Sequence, residues 1–196
     1  MSVLKLAILG STRGSNLVPL TQALGHKNIP FNIEAVISNR SDAIILERAK
    51  EYHWPALYLS AFELGREAYD QKLTQHLQKL GVDLVVLIGF MRILSADFVK
   101  TWQHKVINVH PSLLPAFAGK MDREVHQAVL DAKLTETGCS VHEVTETVDT
   151  GPILIQKKCS VYESDTVDVL KARVQQLEIE ALSEAIQLIY ERKYHV

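Results

Sequence analysis

The sequence predicts an α/β fold: a single domain over residues 1–196, with a mostly parallel sheet, helices on both faces and a mixed C-terminal edge. Three observations carry this. Short apolar runs alternate with amphipathic stretches from the first residues onward, the pattern of strands covered by helices. The strand candidates are almost continuously apolar, as expected where both faces of a sheet are buried. The 196 residues, 47% of them apolar, suit one domain of roughly 150 residues with some extension and a sizeable core.

Residues 3–9 form the first strand. Residues 10–14 turn the chain, and Ser15 is the candidate cap of a helix whose Leu17, Leu20 and Leu24 recur at helical spacing. Pro19 falls in its first turn, where backbone N–H groups lack intrahelical partners anyway. Residues 33–38 make the second strand, Asp42 caps a helix reaching about Tyr52, and residues 56–59 make a short third strand. Ser60 and Glu63 have the form of a capping box, opening a helix with Phe62, Tyr69, Leu73 and Leu77 on one face and Gly81 as its stop. Residues 84–88 are the central strand and residues 106–110 the next. Residues 122–132 form a short helix with Val125, Ala128 and Val129 inward. Residues 139–144 and 153–159 are later strands, joined by a loop too short for a helical crossover, so this end of the sheet is mixed or antiparallel. The last helix runs over about residues 165–192, with Val167, Leu170, Val174, Leu177 and Ala181 at three-four spacing.

Composition narrows the function. Lys and Arg total 21 against 23 Asp and Glu, a net charge of −2, so no basic excess points to nucleic acid. No apolar run approaches the roughly 18 residues of a membrane span. The N-terminal MSVLKLAILG lacks the small-residue cleavage site of a signal peptide. Cys139 and Cys159 have no CxxC spacing, which fits a reducing cytoplasm better than a disulfide scaffold or a structural zinc site.

In an open parallel sheet, ligands bind beyond the carboxyl ends of the strands. Three segments there carry polar chemistry. The first is the turn GSTRGSN, residues 10–16, between a strand and a helix N-terminus, where free N–H groups and the helix dipole favour a phosphate. It is neither a dinucleotide fingerprint nor a P-loop, and a tight turn that merely caps a helix reads the same way. The second is NVHPSLLP, residues 108–115. Asn108 and His110 lie two apart on a strand and share a face, while Ile107 and Val109 point the other way. An amide donor beside an imidazole suits a developing oxyanion, with His110 available for proton transfer; a His bonded to backbone has the same spacing. The third is ETVDTGP around Asp149, a common turn signal whose functional reading requires Asp149 to meet His110 in space, where it would raise the His pKa. A three-ligand zinc site from His110, His126, His142 and Asp149 lacks any tight ligand spacing, so no metal is expected. His26, His53, His76, His104 and His195 read as solvated, and the aromatic residues form no base-stacking stripe.

The segments GFMRIL, NVHPSLLPAF and TGCSVHEVTETVDTGPI, in this order and over nearly the whole chain, resemble the glycinamide ribonucleotide formyltransferase family of purine biosynthesis. The resemblance implies a Rossmann-like sheet and transfer of a formyl group from 10-formyltetrahydrofolate to the amine of glycinamide ribonucleotide. By it, Asn108, His110 and Asp149 are catalytic. Gly14, Ser15 and Asn16 hold the ribonucleotide phosphate, and Gln175 and Glu178 in RVQQLE face the ribonucleotide, Glu178 at the ribose hydroxyls. Arg66, Met91, Arg92, Ile93 and Leu94, with Asn108 and the loop Thr145, Glu146, Thr147, Val148 and Asp149, border the folate. Ser140 and His142 fall beside the site, and Gly138 and Gly151 flank the 145–149 loop as candidate hinges. The implied mechanism is direct transfer through a tetrahedral adduct, with Asn108 and a protonated His110 on the oxyanion and Asp149 keeping His110 charged.

The implied partners are small molecules, with no nucleic acid and no membrane, on a monomer or weak homodimer in the cytoplasm. Thr12 and Arg13 depart from the family's more permissive turn, and the segment around AGKMDREVHQAV is longer than in several relatives, which leaves His126 without an assigned contact. Formyl transfer to initiator tRNA and hydrolysis of 10-formyltetrahydrofolate use a similar Asn, His and Asp set with a further domain. A phosphate-ligand binding module would need no matched oxyanion donor and acid.

Overall fold

The apolar runs become the strands of one sheet. In the computed structural model, which describes residues 2–194, these are β1 (Leu4–Leu9), β2 (Phe31–Ser38), β3 (Ala56–Tyr58), β4 (Leu84–Leu87), β5 (Val106–His110), β6 (Glu136–Glu143) and β7 (Ile153–Ser160). Their order across the sheet is β3-β2-β1-β4-β5-β6-β7. The pairs from β3 to β5 are parallel, and β6 and β7 add antiparallel at the edge. The mixed C-terminal edge is as expected, since the β6–β7 connection is too short to cross back over the sheet. Strand order reverses between β1 and β4, which makes their carboxyl ends the switch point where such sheets bind ligands.

Side chains alternate across the sheet and divide the core in two. Leu4, Leu6 and Ile8 of β1 face one side, where they pack with α1 (Leu17–His26), α2 (Ile44–Glu51) and α6 (Val167–Tyr194). Ala7 and Leu9 face the other, against Tyr69, Leu73 and Leu77 of α3 (Arg66–Lys79) and Phe98 of α4 (Ala96–Thr101). The sixth helix, α5 (Arg123–Asp131), buries Val125 and Val129 and meets α6, which itself lies on β6, β7 and α1. Each fully buried Leu or Val contributes about 1.5–3 kcal/mol relative to exposure.

Several local expectations are corrected. Asn16 rather than Ser15 is the N-cap of α1, and its side chain makes no capping bond because its amide is engaged elsewhere. Ala43 rather than Asp42 precedes α2; Asp42 pairs with Arg40 at 2.9 Å in solvent. The Ser60–Glu63 capping box does not form. Ser60 Oγ accepts the Phe62 N–H at 3.1 Å in a local turn, Glu63 takes a left-handed φ of 57°, and α3 starts only after Gly65. Phe62 therefore stands 79% exposed instead of joining the inward face. The helix α4 was not foreseen, although Ser95 caps it by accepting the Phe98 N–H at 3.3 Å. Gly138 lies inside β6, where a Cβ would meet the Lys157 carbonyl oxygen at 1.8 Å, so its role is close strand approach rather than a hinge. His195 lies outside the described residues.

Candidate active site

The turn after β1 is built around Gly14. Its φ is +60°, and a Cβ there would stand 2.3 Å from Ile45 Cγ1 of α2, so both conformation and space require glycine. The turn is locked to the neighbouring loop across the switch point: the Ser11 N–H donates to the Gly89 carbonyl at 3.0 Å and the Met91 N–H to Ser11 Oγ at 2.9 Å. With no side chain capping α1, the helix end retains the donors and dipole that suit an anion.

The same turn reaches α6. Asn16 Nδ2 donates to Glu178 Oε2 at 2.6 Å, and Gln175 Nε2 donates to Asn16 Oδ1 at 3.2 Å. Residues about 160 positions apart thus form one polar cluster beside the turn after β1. Burial pushes the Glu178 carboxyl up to about 7, against the Asn16 amide, which favours the ionised form.

Asn108 and His110 project from β5 on one face, and Ile107 and Val109 pack into the core on the other. The register of β6 sets His142 opposite Asn108 and Ser140 opposite His110. Asn108 Nδ2 lies 3.2 Å from His142 Nε2, and His142 Nδ1 is 2.9 Å from the Glu143 carbonyl oxygen. Asp149, in the β6–β7 loop with φ +56°, brings Oδ2 to 3.2 Å from His110 Nδ1 and Oδ1 to 3.5 Å from His142 Nε2. The Gly119 N–H donates to Asp149 Oδ2 at 2.9 Å. Burial pushes the Asp149 carboxyl up, but the His142 contact, the Gly119 N–H and the two imidazoles outweigh it and hold it below the usual carboxylate range.

His110 is 4% exposed, with Nε2 3.2 Å from the Phe117 carbonyl oxygen. Asp149 does raise its pKa, as anticipated, yet burial lowers it more, and the imidazole lies below its ordinary value. Both ring nitrogens face acceptors, Nδ1 the Asp149 carboxylate and Nε2 the Phe117 carbonyl, so burial and the ring's partners pull its protonation in opposite directions.

A set of hydrogen bonds behind the strand ends holds this centre. Ser140 Oγ accepts the Leu114 N–H and donates to the Ser112 carbonyl, while Gln156 Nε2 donates to both Ser140 Oγ and the Leu114 carbonyl. Gln156 escaped sequence reading because it is one polar residue on an edge strand. The other expected contacts border the same face. Met91, Ile93 and Val148 are exposed apolar side chains, while Leu94 is 6% exposed and props the 91–94 segment from within the core. Phe90 and Val144 join Leu94 in that cluster, which brings the β4–α4 and β6–β7 loops together. Arg92 stacks over Tyr69, and Arg66 opens α3 beside Glu67 at 3.3 Å. Thr145 is tied to Thr147 and Thr150 by hydroxyl bonds; Glu146 and Thr147 are exposed. An apolar wall flanked by cations fits a flat aromatic ligand with an anionic tail. His126 stands apart from Asn108, His110 and Asp149. It is 2% exposed, without a partner for Nδ1, and burial pushes its pKa down to about 4. Among the described residues, no group of three or more His, Cys, Asp or Glu side chains is arranged to hold a metal ion.

Fold and site together define an α/β enzyme whose polar centre borders a topological switch point, with an anion-ready helix end beside an amide–imidazole–carboxylate set. The chain belongs to the formyl transferase family, whose model matches residues 4–186. It is 40% identical over 174 residues to the phosphoribosylglycinamide formyltransferase of Escherichia coli, covering 88% of this chain and 80% of that protein. It is 39% identical to the trifunctional purine biosynthetic protein adenosine-3 of Bos taurus, where 94% of this chain spans 18% of that protein. The glycinamide ribonucleotide transformylase 1 of Symbiobacterium toebii superposes with a TM-score of 0.90 at 38% identity, over 96% of this chain and 88% of that one.

Proposed function

We infer that the protein transfers the formyl group of 10-formyltetrahydrofolate to the amine of glycinamide ribonucleotide, releasing tetrahydrofolate, in purine biosynthesis. The observation that carries this reading is the Asn108–His110–Asp149 set, with Asp149 3.2 Å from His110, in a chain 40% identical to the Escherichia coli enzyme. The folate supplies the formyl carbon. Gly14, Ser15 and Asn16 take the ribonucleotide phosphate at the start of α1, and Glu178 and Gln175 take the ribose. The 91–94 segment, Arg66, Arg92 and the 145–149 loop take the folate.

His110, in its neutral form, accepts the proton that the amine nitrogen sheds as it bonds to the formyl carbon. Asp149 stabilises the imidazolium so formed, and His110 returns the proton to the folate nitrogen as its bond to that carbon breaks. Asn108 turns its amide from His142 to the developing oxyanion. Holding both reactants in one geometry contributes about 7–11 kcal/mol to lowering the barrier. The Phe117 carbonyl occupies His110 Nε2 and is displaced when the reacting groups arrive. The reading includes a cytoplasmic location, supported by Cys139 and Cys159 as free thiols, and a single catalytic domain.

The test is folate absorbance with purified protein and 10-formyltetrahydrofolate, with and without glycinamide ribonucleotide. Release of tetrahydrofolate that requires the ribonucleotide is expected. Release without it would replace the reading by hydrolysis, and no release in either case would leave a binding module.

A further inference from the structure

Among the described residues, three buried polar atoms without hydrogen-bond partners fall on side chains that are neighbours in the fold: Tyr69 Oη, Asp70 Oδ1 and Arg92 Nε. Tyr69 and Asp70 are neighbours on α3, 0% and 1% exposed. The Arg92 guanidinium carbon lies 4.4 Å from the centre of the Tyr69 ring, so the cation stacks on the aromatic face. Asp70 Oδ2 accepts the Ser95 backbone N–H at 2.5 Å, and Ser95 Oγ in turn caps α4 through the Phe98 N–H. One carboxylate therefore ties α3 to the end of the 91–94 segment and lies beside the cation within that segment.

A carboxylate is a costly way to hold a backbone N–H in a core, because an unpaired buried charge is disfavoured by several kcal/mol. A neutral amide would accept the same bond. Burial raises the Asp70 carboxyl above its ordinary range, opposed by the Ser95 N–H and hydroxyl and by the charges of Arg92 and Arg66. The orphaned atoms are complementary in type, an acceptor on Asp70, a donor on Arg92 and a hydroxyl on Tyr69, and native structures seldom leave such groups unused.

We propose that Asp70 is a positioning residue for the folate cosubstrate, its charge together with the Tyr69 ring setting the orientation of Arg92 and its bond to Ser95 fixing the 91–94 wall. This rests on the reading of that segment as the folate wall. Arg92 without Asp70 keeps its charge but loses the counter-charge that directs it, so folate binding weakens while the chemistry at His110 is untouched.

The experiment is steady-state kinetics of Asp70→Asn, which keeps an acceptor for the Ser95 N–H and removes the charge. The KM for 10-formyltetrahydrofolate is expected to rise about tenfold, with kcat and the ribonucleotide KM held within about twofold, the signature of lost uniform binding. In an Arg92→Ala background the same substitution is expected to add less than about twofold, because it acts through Arg92. A folded Asp70→Asn enzyme with unchanged folate KM overturns the proposal, as does a full tenfold effect in the Arg92→Ala background. Arg92→Ala alone that leaves the folate KM unchanged refutes the wall assignment instead, which keeps the two failures apart. Tyr69→Leu removes the ring beneath Arg92 and leaves the carboxylate. It too is expected to raise the folate KM without lowering kcat, and no change there overturns the proposal even if Asp70→Asn fails to fold.

Discussion

Asp149 stands between two imidazoles, 3.2 Å from His110 and 3.5 Å from His142, and in the proposed reaction its ionised form lets His110 gain and lose a proton. Asn108 supplies a neutral amide donor at that centre, so Asn108→Ala is expected to lower kcat by about 10²–10³-fold with modest change in either KM; turnover near that of the parent would remove its oxyanion role. Glu178 gives a second titration. Its carboxyl is raised to about 7, and only the carboxylate accepts fully from two ribose hydroxyls, so the ribonucleotide KM is expected to fall as pH rises through that value. Glu178→Gln should flatten this dependence, which KM measured from about pH 5.5 to about 8.5, roughly 1.5 units either side of Glu178's value, checks. His126 acts on stability alone. With its folded pKa near 4 against an ordinary 6.5, the unfolded chain binds the extra proton first, so this group's contribution is intact above about 6.5 and is lost as pH falls towards 4. His126→Leu should make urea unfolding less acid-sensitive over that window. The shared face of Asn108 and His110 was legible from strand alternation alone. The contact of Asp149 with His110 was not, because 39 positions separate them, and neither was the bond between Asn16 and Glu178, 162 positions apart, for which family resemblance gave only separate ligand roles. Asp70 was passed over since helical periodicity marks the apolar Tyr69, Leu73 and Leu77 but says nothing of a buried acid beside them.

At the level of the elements, the apolar strands were readable to within a few residues because burial on both faces leaves little freedom in their composition. Helix starts were less so. Ser15, Asp42 and Ser60 have the chemistry of caps, yet the chain uses Asn16, Ala43 and Gly65 at those positions, with turn geometry and side-chain bonds elsewhere deciding the choice. The short α4 was missed because six residues do not establish a period, although Ser95 ahead of Ala96–Thr101 was a cap in plain view. The turn after β1 offers a sharp test of packing. Gly14→Ala forces a left-handed alanine against Ile45 and is expected to cost at least about 2 kcal/mol of stability, together with ribonucleotide affinity. Ile45→Ala alone should cost about 2–5 kcal/mol. The double variant should lose less than the sum, since removing Cγ1 and Cδ1 relieves two of the clashes; chemical denaturation of the four proteins measures the coupling.

Across the whole molecule, the site is assembled from parts that only the completed sheet brings together. The glycine turn proposed for the phosphate follows β1, the amide and imidazole come from β5, the carboxylate from the β6–β7 loop, and Gln175 and Glu178, proposed for the ribose, from α6. The parallel strands set the switch point, and the antiparallel edge lets the β6–β7 loop fold back onto the face that carries His110. That antiparallel edge was legible as a short connection, whereas its return over the site was not, since loop direction depends on packing rather than local pattern. In the proposed reaction His110 moves the proton and Asp149 tunes it. The most direct measurement is the pH dependence of kcat/KM for 10-formyltetrahydrofolate at saturating ribonucleotide, in the parent and in Asp149→Asn. The acid limb is expected below the ordinary imidazole value and should move lower still when the Asp149 charge is removed. An acid limb that stays in place in Asp149→Asn, or that lies above the ordinary value in the parent, would contradict the account.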